Sequence, residues 1–481
     1  MKIKEGPFKP TLESLRKFEC PEWFKDAKFG IWSHWGPQSV PMFGDWYARN
    51  IYIQGTEQYL YHLRRFGHPS KFGYKDIIKL WKAEKFEPEK LMELYVKAGA
   101  KYFVAQAVHH DNFDNWNSKY HRWNATNFGP KKDIVSLWHK ATKKFNLRFG
   151  LSEHLGASFQ WWSVNKESDK TGPYAGVPYD GNNPKYSDLY ILNNKGAKLE
   201  SWYTSNIYWH NIWFKRIKDL IDQHKPDLLY SDGGLPFYLP DKKIEFLSPG
   251  LNIVAHLYNT SVELYGKNES VYTQKDRNEK IYTIGVLDIE RDVQEDIFKT
   301  PWQTDTSIGD WFYNLRYPYK TFQQIIEMLV DIISKNGNLL LNVPQKPDGT
   351  IDYECEYILK NIAEWIKING EGVYGTRPWK KAGEGFLKTN TGNFNEPVIN
   401  WKPEDFRFTA KSNILYAFQM SWPLNKKAFI KSLPGNNVKE VNLLGYNHKL
   451  KFKQTSKGLL IYLPDKKPLK MSPHCFKITI R

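Results

Sequence analysis

Asp232 ends the run Pro226-Asp227-Leu228-Leu229-Tyr230-Ser231-Asp232-Gly233-Gly234, in which an apolar segment carries one carboxylate into a glycine turn. A carboxylate placed there is where a barrel enzyme mounts a nucleophile. Other apolar segments finish the same way, in His34, in His109-His110, in Glu153-His154 and in Glu290-Arg291. Polar residues repeated at strand ends along one chain mark a catalytic face.

The elements that must position these groups alternate between two periods. Strands are expected at Lys28–Ser33, Lys101–Val108, Arg148–Ser152, Asp227–Ser231, Ile281–Ile289 and Asn338–Val343. Helices are expected at Glu89–Ala98, Ile134–Lys144, Trp209–His224, Phe322–Ser334 and Tyr353–Ile368. Glycine stops are expected at Gly99, Gly337 and Gly370, since helices often end in a residue that tolerates a left-handed backbone. Repeated βα units predict a parallel sheet. The assembly that puts every candidate residue at a strand's carboxyl end is an α/β fold, a (β/α)₈-like TIM barrel. A doubly wound sheet is the runner-up, without a GxGxxG after the first strand. Past Tyr374-Gly375-Thr376 the pattern becomes short alternating segments, Phe406–Thr409, Ile414–Gln419, Val438–Leu443, Gly458–Leu463 and Cys475–Ile480. These predict a C-terminal antiparallel β-sandwich, and so two domains, 1–376 and 377–481. The polar insertion Asn165–Lys198 reads as a loop over the barrel mouth.

At 481 residues the chain exceeds one core. Its 19 Trp and 29 Tyr suit stacking on sugar rings as well as packing. Lys and Arg exceed Asp and Glu by 17, which favours an anionic partner such as a sulfated or acidic glycan. No zinc-finger spacing, RNP-type motif or Lys/Arg tract accompanies that charge, so no nucleic-acid partner is expected. Cys20, Cys355 and Cys475 are too few and too scattered for a disulfide framework or a CxxC metal site. The opening residues lack a signal's apolar core and no stretch reaches the length of a membrane span. A secreted or periplasmic protein with its leader removed, and a cytoplasmic one, both stay open, as does the oligomeric state.

Several strings together resemble the retaining α-L-fucosidase family of glycoside hydrolases. They are Lys28-Phe29-Gly30-Ile31-Trp32-Ser33-His34-Trp35-Gly36, Val40-Pro41 with Asp45-Trp46-Tyr47, Ala100-Lys101-Tyr102 with His109-His110-Asp111, Pro301–Asp305 with Trp311–Asn314, and Asn336–Val343 with Pro347–Thr350. They run in order over about three quarters of the chain. The resemblance implies the same barrel and β-sandwich, no cofactor, and hydrolysis of a glycan through a covalent glycosyl-enzyme. That route needs two carboxyl groups about 5–5.5 Å apart. Asp232 resembles the nucleophile. Much of the family has Trp-Glu where this chain has Trp302-Gln303, and an amide cannot cycle a proton. Glu290 resembles the acid/base of members carrying Glu-Arg at this point, with Asp288, Glu295 and Glu153 as fallbacks.

The resemblance also implies sugar contacts. His34, His109 and His110 match its hydroxyl-binding histidines, a neutral imidazole offering one donor and one acceptor. No HExxH set supports a metal instead. Asp45-Trp46 matches an acidic-Trp pair, Trp311 would pack on the sugar's apolar face, and Arg291 would hold vicinal hydroxyls. Glu153 and His154 stand where many members have tyrosines, which adds hydrogen-bonding capacity. The substrate expected is a terminal α-L-fucosyl or related L-galacto-configured residue. An exo-α-L-galactosidase acting on sulfated algal galactans of porphyran type is the alternative, since L-galactose carries one more hydroxyl than fucose. A sugar-binding protein without turnover and a polyanion-binding scaffold are further readings.

Overall fold

Eight short strands close a parallel barrel in strict sequence order. They are β1 (Phe29–Ser33), β2 (Tyr102–Val108), β3 (Arg148–Glu153), β4 (Leu228–Ser231), β5 (Val271–Gln274), β6 (Val286–Asp288), β7 (Trp302–Ser307) and β8 (Gly337–Asn342). The computed structural model describes residues 1–386, 394–396, 398–435 and 437–480. Closure comes from β1 pairing parallel with β8, Phe29 against Leu339 through Trp32 against Asn342. Nearly every barrel-strand residue is buried, as expected of a parallel sheet covered on both faces.

The outer helices start where a side chain can accept from the first turn's free N–H groups. Asp133 caps Ile134–Lys144, Asn206 caps Ile207–His224, and Asp352 caps Tyr353–Val373. Thr321 and Gln324 form a reciprocal capping box on Phe322–Ser334. Pro249–Tyr265, unexpected from the sequence, follows β4.

Three expectations are corrected. Ile281–Ile289 is not one strand: Asn278 caps a short helix, Glu279–Tyr282, and only Val286–Asp288 is extended. β5 and β7 are strands that the alternating pattern did not mark. The last helix does not stop at Gly370 but runs to Val373. There Gly372 lets it lie on the second domain, because a Cβ would come within 2.9 Å of Cys475 Sγ.

Beyond the helix, β9 (Arg377–Glu384), β10 (Phe406–Lys411), β11 (Ile414–Gln419), β12 (Lys427–Ile430), β13 (Val438–Leu443), β14 (Phe452–Thr455), β15 (Gly458–Tyr462) and β16 (His474–Ile480) form two antiparallel sheets. Their orders are β13-β16-β11-β10-β9 and β12-β15-β14. Phe406, Phe408, Leu415, Ile430, Leu459, Ile461 and Phe476 fill the space between them.

A buried charge cluster ties this sandwich to the barrel. Asp331, on Phe322–Ser334, bonds Lys335 at 2.9 Å and also Arg407 of β10. Burial alone would raise the Asp331 carboxyl, but the two cations outweigh it and hold it at about 2. A depressed folded-state value stabilises the fold above the ordinary carboxylate range, and that stability is lost as pH falls from about 4 to about 2. Asp331→Asn leaves two buried cations short of a partner and is expected to cost about 3–5 kcal/mol at neutral pH. Denaturant unfolding of both proteins should show the gap narrowing through that acid window, and a pH-independent gap would contradict the assignment.

Candidate active site

The carboxyl ends of the barrel strands surround a cavity of about 610 Å³. Trp32, His34, Asp45, Trp46, His109, His110, His154, Trp202, Tyr203, Tyr230, Asp232, Lys275, Glu290, Asp305, Trp311 and Phe394 all face it. Each enters by a simple route. His34 follows β1, His109 and His110 follow β2, His154 follows β3, Asp232 follows β4, Lys275 follows β5 and Glu290 lies just past β6. The turn after Asp232 requires glycine, since Gly233 has φ +99° and a Cβ there would lie 2.5 Å from Trp202 Nε1.

Asp232 is held from four sides. Lys275 Nζ lies 2.6 Å from Oδ1, and the Tyr230 hydroxyl donates to the same oxygen at 3.1 Å. His110 Nε2 and His154 Nδ1 approach Oδ2 at 3.2 and 3.4 Å. Burial pushes the Asp232 carboxyl up, but Lys275, His154 and His110 more than offset that and hold it well below the usual range. It is therefore an anion at neutral pH.

The same ammonium contacts Glu290 Oε2 at 2.5 Å, which leaves the nearest oxygens of Asp232 and Glu290 no more than about 5.1 Å apart. For Glu290 the balance goes the other way. Burial, with Asp305 and Asp232 nearby, outweighs Lys275 and raises its carboxyl to about 7. Environments that separate two carboxyl groups in this way make one a permanent anion and the other a proton carrier near neutrality. Lys275 is itself held charged, its carboxylate neighbours overcoming the burial that favours the neutral amine.

Imidazoles line the floor. Gln38 Nε2 donates to His109 Nδ1 at 2.9 Å, which leaves Nε2 as that ring's donor, 3.7 Å from Asp45. His110 Nδ1 donates to the His154 carbonyl at 2.6 Å. His34 Nδ1 and His154 Nε2 are buried without a partner. Burial is the main force holding His34, His109 and His154 below the usual imidazole range, so each is neutral and able to pair with a hydroxyl. The donor atoms of His34, His109 and His154, and those of His110, His154 and Asp232, lie within 4.8 Å of one another. Either trio has the donor types of a cation site, and equally those needed to grip adjacent hydroxyls.

Two expected contacts are corrected. Glu153 faces away from the cavity: its carboxylate accepts from Leu155 N–H and from Trp213 Nε1, both at 3.0 Å. Successive strand residues point to opposite faces, so His154 turns in and Glu153 turns out. Arg291 also lies behind the wall, with a positive φ of 48°. Its Nη2 donates to the Gly309 carbonyl at 3.0 Å, and its guanidinium lies 4.8 Å from the Trp311 ring centroid. It braces that indole from outside. Among the fallback acids, Glu295 is exposed. Asp288 accepts from Gln303 at 2.8 Å, and Gln303 in turn accepts from Tyr102 at 2.8 Å, so both belong to the barrel interior.

Lys275, Tyr230, Asp305, Trp32, Trp202, Tyr203 and Phe394 were not anticipated as site residues. Lys275 follows an apolar run, Val271-Tyr272-Thr273, just as the histidines do, and that signal would have found it.

A family model described as "Alpha-L-fucosidase" matches residues 1–371, and one described as "Alpha-L-fucosidase C-terminal domain" matches residues 402–480. The tissue alpha-L-fucosidase of Rattus norvegicus is 29% identical over 475 residues, covering 96% of this chain and 89% of that protein. The alpha-L-fucosidase of Branchiostoma floridae is 25% identical, covering 95% of this chain and 92% of that protein. The crystal structure of Thermotoga maritima alpha-fucosidase in complex with fucose superposes with a TM-score of 0.76 at 27% identity, covering 98% of this chain and all of that one. Matched over both its barrel and its sandwich, the chain belongs to the alpha-L-fucosidase family of glycoside hydrolases.

Proposed function

We propose that the protein removes terminal α-L-fucosyl residues from glycans by a retaining double displacement. An Asp232 oxygen attacks the anomeric carbon while the bond to the leaving oxygen breaks and Glu290 gives that oxygen its proton. The resulting ester on Asp232 is then hydrolysed by water, whose proton returns to Glu290. The observation that carries this reading is the Asp232–Lys275–Glu290 arrangement, because a gap of no more than about 5.1 Å between nearest oxygens suits direct attack, whereas inverting enzymes keep about 6.5–9.5 Å for an intervening water. Lys275 keeps Asp232 ionised, and the neutral histidines take the sugar's hydroxyls. Residues 1–376 would form the catalytic unit and 377–481 the appended sandwich.

A terminal α-L-galactosyl residue is the second reading. The buried, unpartnered Nε2 of His154 supports it, because an extra hydroxyl needs a partner and leaving one unmade costs on the order of 1–3 kcal/mol. The outward turn of Glu153 removes the additional charge that the sequence placed in the pocket. Hydrolysis of aryl α-L-fucoside and aryl α-L-galactoside separates the readings. The fucoside is expected to have the higher kcat/KM, a reversed order favours the galactoside reading, and turnover of neither by folded protein rejects both.

A further inference from the structure

Phe394 sits at the rim of the cavity although it belongs to the segment joining β9 to β10 of the sandwich. Its N–H donates to the main-chain carbonyl of Glu290 at 3.1 Å. Two residues on, Glu396 bonds Lys320 at 2.9 Å and lies 4.0 Å from Arg291. The second domain is thus pinned to the barrel beside the carboxyl group assigned above as the proton donor.

The other aromatic rings of the cavity are more covered by the protein than Phe394 is. Trp32, Tyr230 and Trp311 are buried, and Trp46, Trp202 and Tyr203 are half-buried. Phe394 is 65% exposed, and it holds a left-handed backbone at φ +60°. A bulky residue in that region is uncommon and marks a position held by its surroundings. A large apolar ring is therefore kept at the mouth of a polar cavity, on the side where the leaving group must receive its proton.

Building on the fucosidase reading, we propose that Phe394 is the platform of an aglycone subsite, which receives the pyranose ring to which the scissile sugar is attached. The apolar C–H face of a pyranose covers an aromatic ring and removes both surfaces from water. The sandwich thereby supplies part of the substrate site and biases the enzyme toward glycans over glycosides lacking a second ring.

The test compares an α-L-fucosyl disaccharide with α-L-fucosyl fluoride, whose leaving group has no ring and takes no proton. Phe394→Ala keeps the main-chain bond to Glu290 and removes only the ring. The ratio of kcat/KM for disaccharide to fluoride is expected to fall about tenfold, mostly through KM, with the alkaline limb of the pH profile unmoved and Phe394→Trp restoring the ratio. An unchanged ratio, or a shifted alkaline limb, overturns the platform. If the native protein turns over neither substrate, the fucosidase reading itself falls and the subsite with it.

Discussion

Asp232→Asn is expected to lower kcat for aryl α-L-fucoside by on the order of 10⁴-fold or more, because the amide oxygen cannot form the ester on which the second step of the proposed reaction depends. Loss of one negative charge beside Lys275 leaves that ammonium with Glu290 and a 4.0 Å contact to Asp305. The variant should therefore fold, and its unfolding transition should resemble that of the native protein. Fucose binding should persist, since the imidazole floor is untouched. A variant retaining more than a hundredth of the native rate would place the nucleophile elsewhere.

Glu290→Ala should show a loss that depends on the leaving group. For a disaccharide, whose leaving alkoxide needs a proton, kcat/KM is expected to fall on the order of 10³-fold. For α-L-fucosyl fluoride, formation of the ester should be nearly unaffected. The native pH profile carries the same information. In the proposed reaction Glu290 acts in its protonated form, and its carboxyl is raised to about 7, so kcat/KM should fall as pH rises through about 7. That limb should vanish in the variant when an activated substrate is used. Azide, small enough to occupy the space left by the side chain, should restore part of the rate. A uniform loss on both substrates, with the alkaline limb intact, would remove Glu290 from the proton-transfer role.

Much of this site could be read from the chain because a parallel barrel sends the end of each strand to one face. Asp232, His34, His109, His110 and Glu290 each follow a run apolar enough to be recognised. The failures have definite causes. β7 escaped notice because Gln303, Thr304, Asp305, Thr306 and Ser307 look like surface yet are buried. Internal bonds satisfy part of that polarity, for instance Thr304 Oγ1 donating to the carbonyls of Ile289 and Asp292 at 2.6 and 2.7 Å. β5 is four residues long and half of it is polar, Thr273 and Gln274, so its short apolar start was passed over and Lys275 with it. The choice between Glu153 and His154 turns on pleat phase at the strand end, where β2 and β3 shift register between Gln106 and Val108. Phe394 reaches the cavity from another domain, and no local pattern encodes such a contact.

The separation between Asp232 and Glu290 gains meaning from the opposite fates of their protons. Lys275 touches both groups, yet only Asp232 has histidines on its second oxygen. That asymmetry supports the proposed division, in which Asp232 attacks and Glu290 carries the proton. Reversing the roles would require Asp232 to hold a proton against Lys275 and the two imidazoles on its second oxygen together, which electrostatics opposes.

The most direct test of the central claim is peptide mass mapping after incubation with 2-deoxy-2-fluoro-α-L-fucosyl fluoride, whose electron-withdrawing fluorine slows breakdown of the glycosyl ester. One fluorofucosyl unit should be found, attached to the peptide containing Asp232 and localised by fragmentation to that residue. A label on a different residue, or none in protein that still hydrolyses aryl α-L-fucoside, would contradict the account.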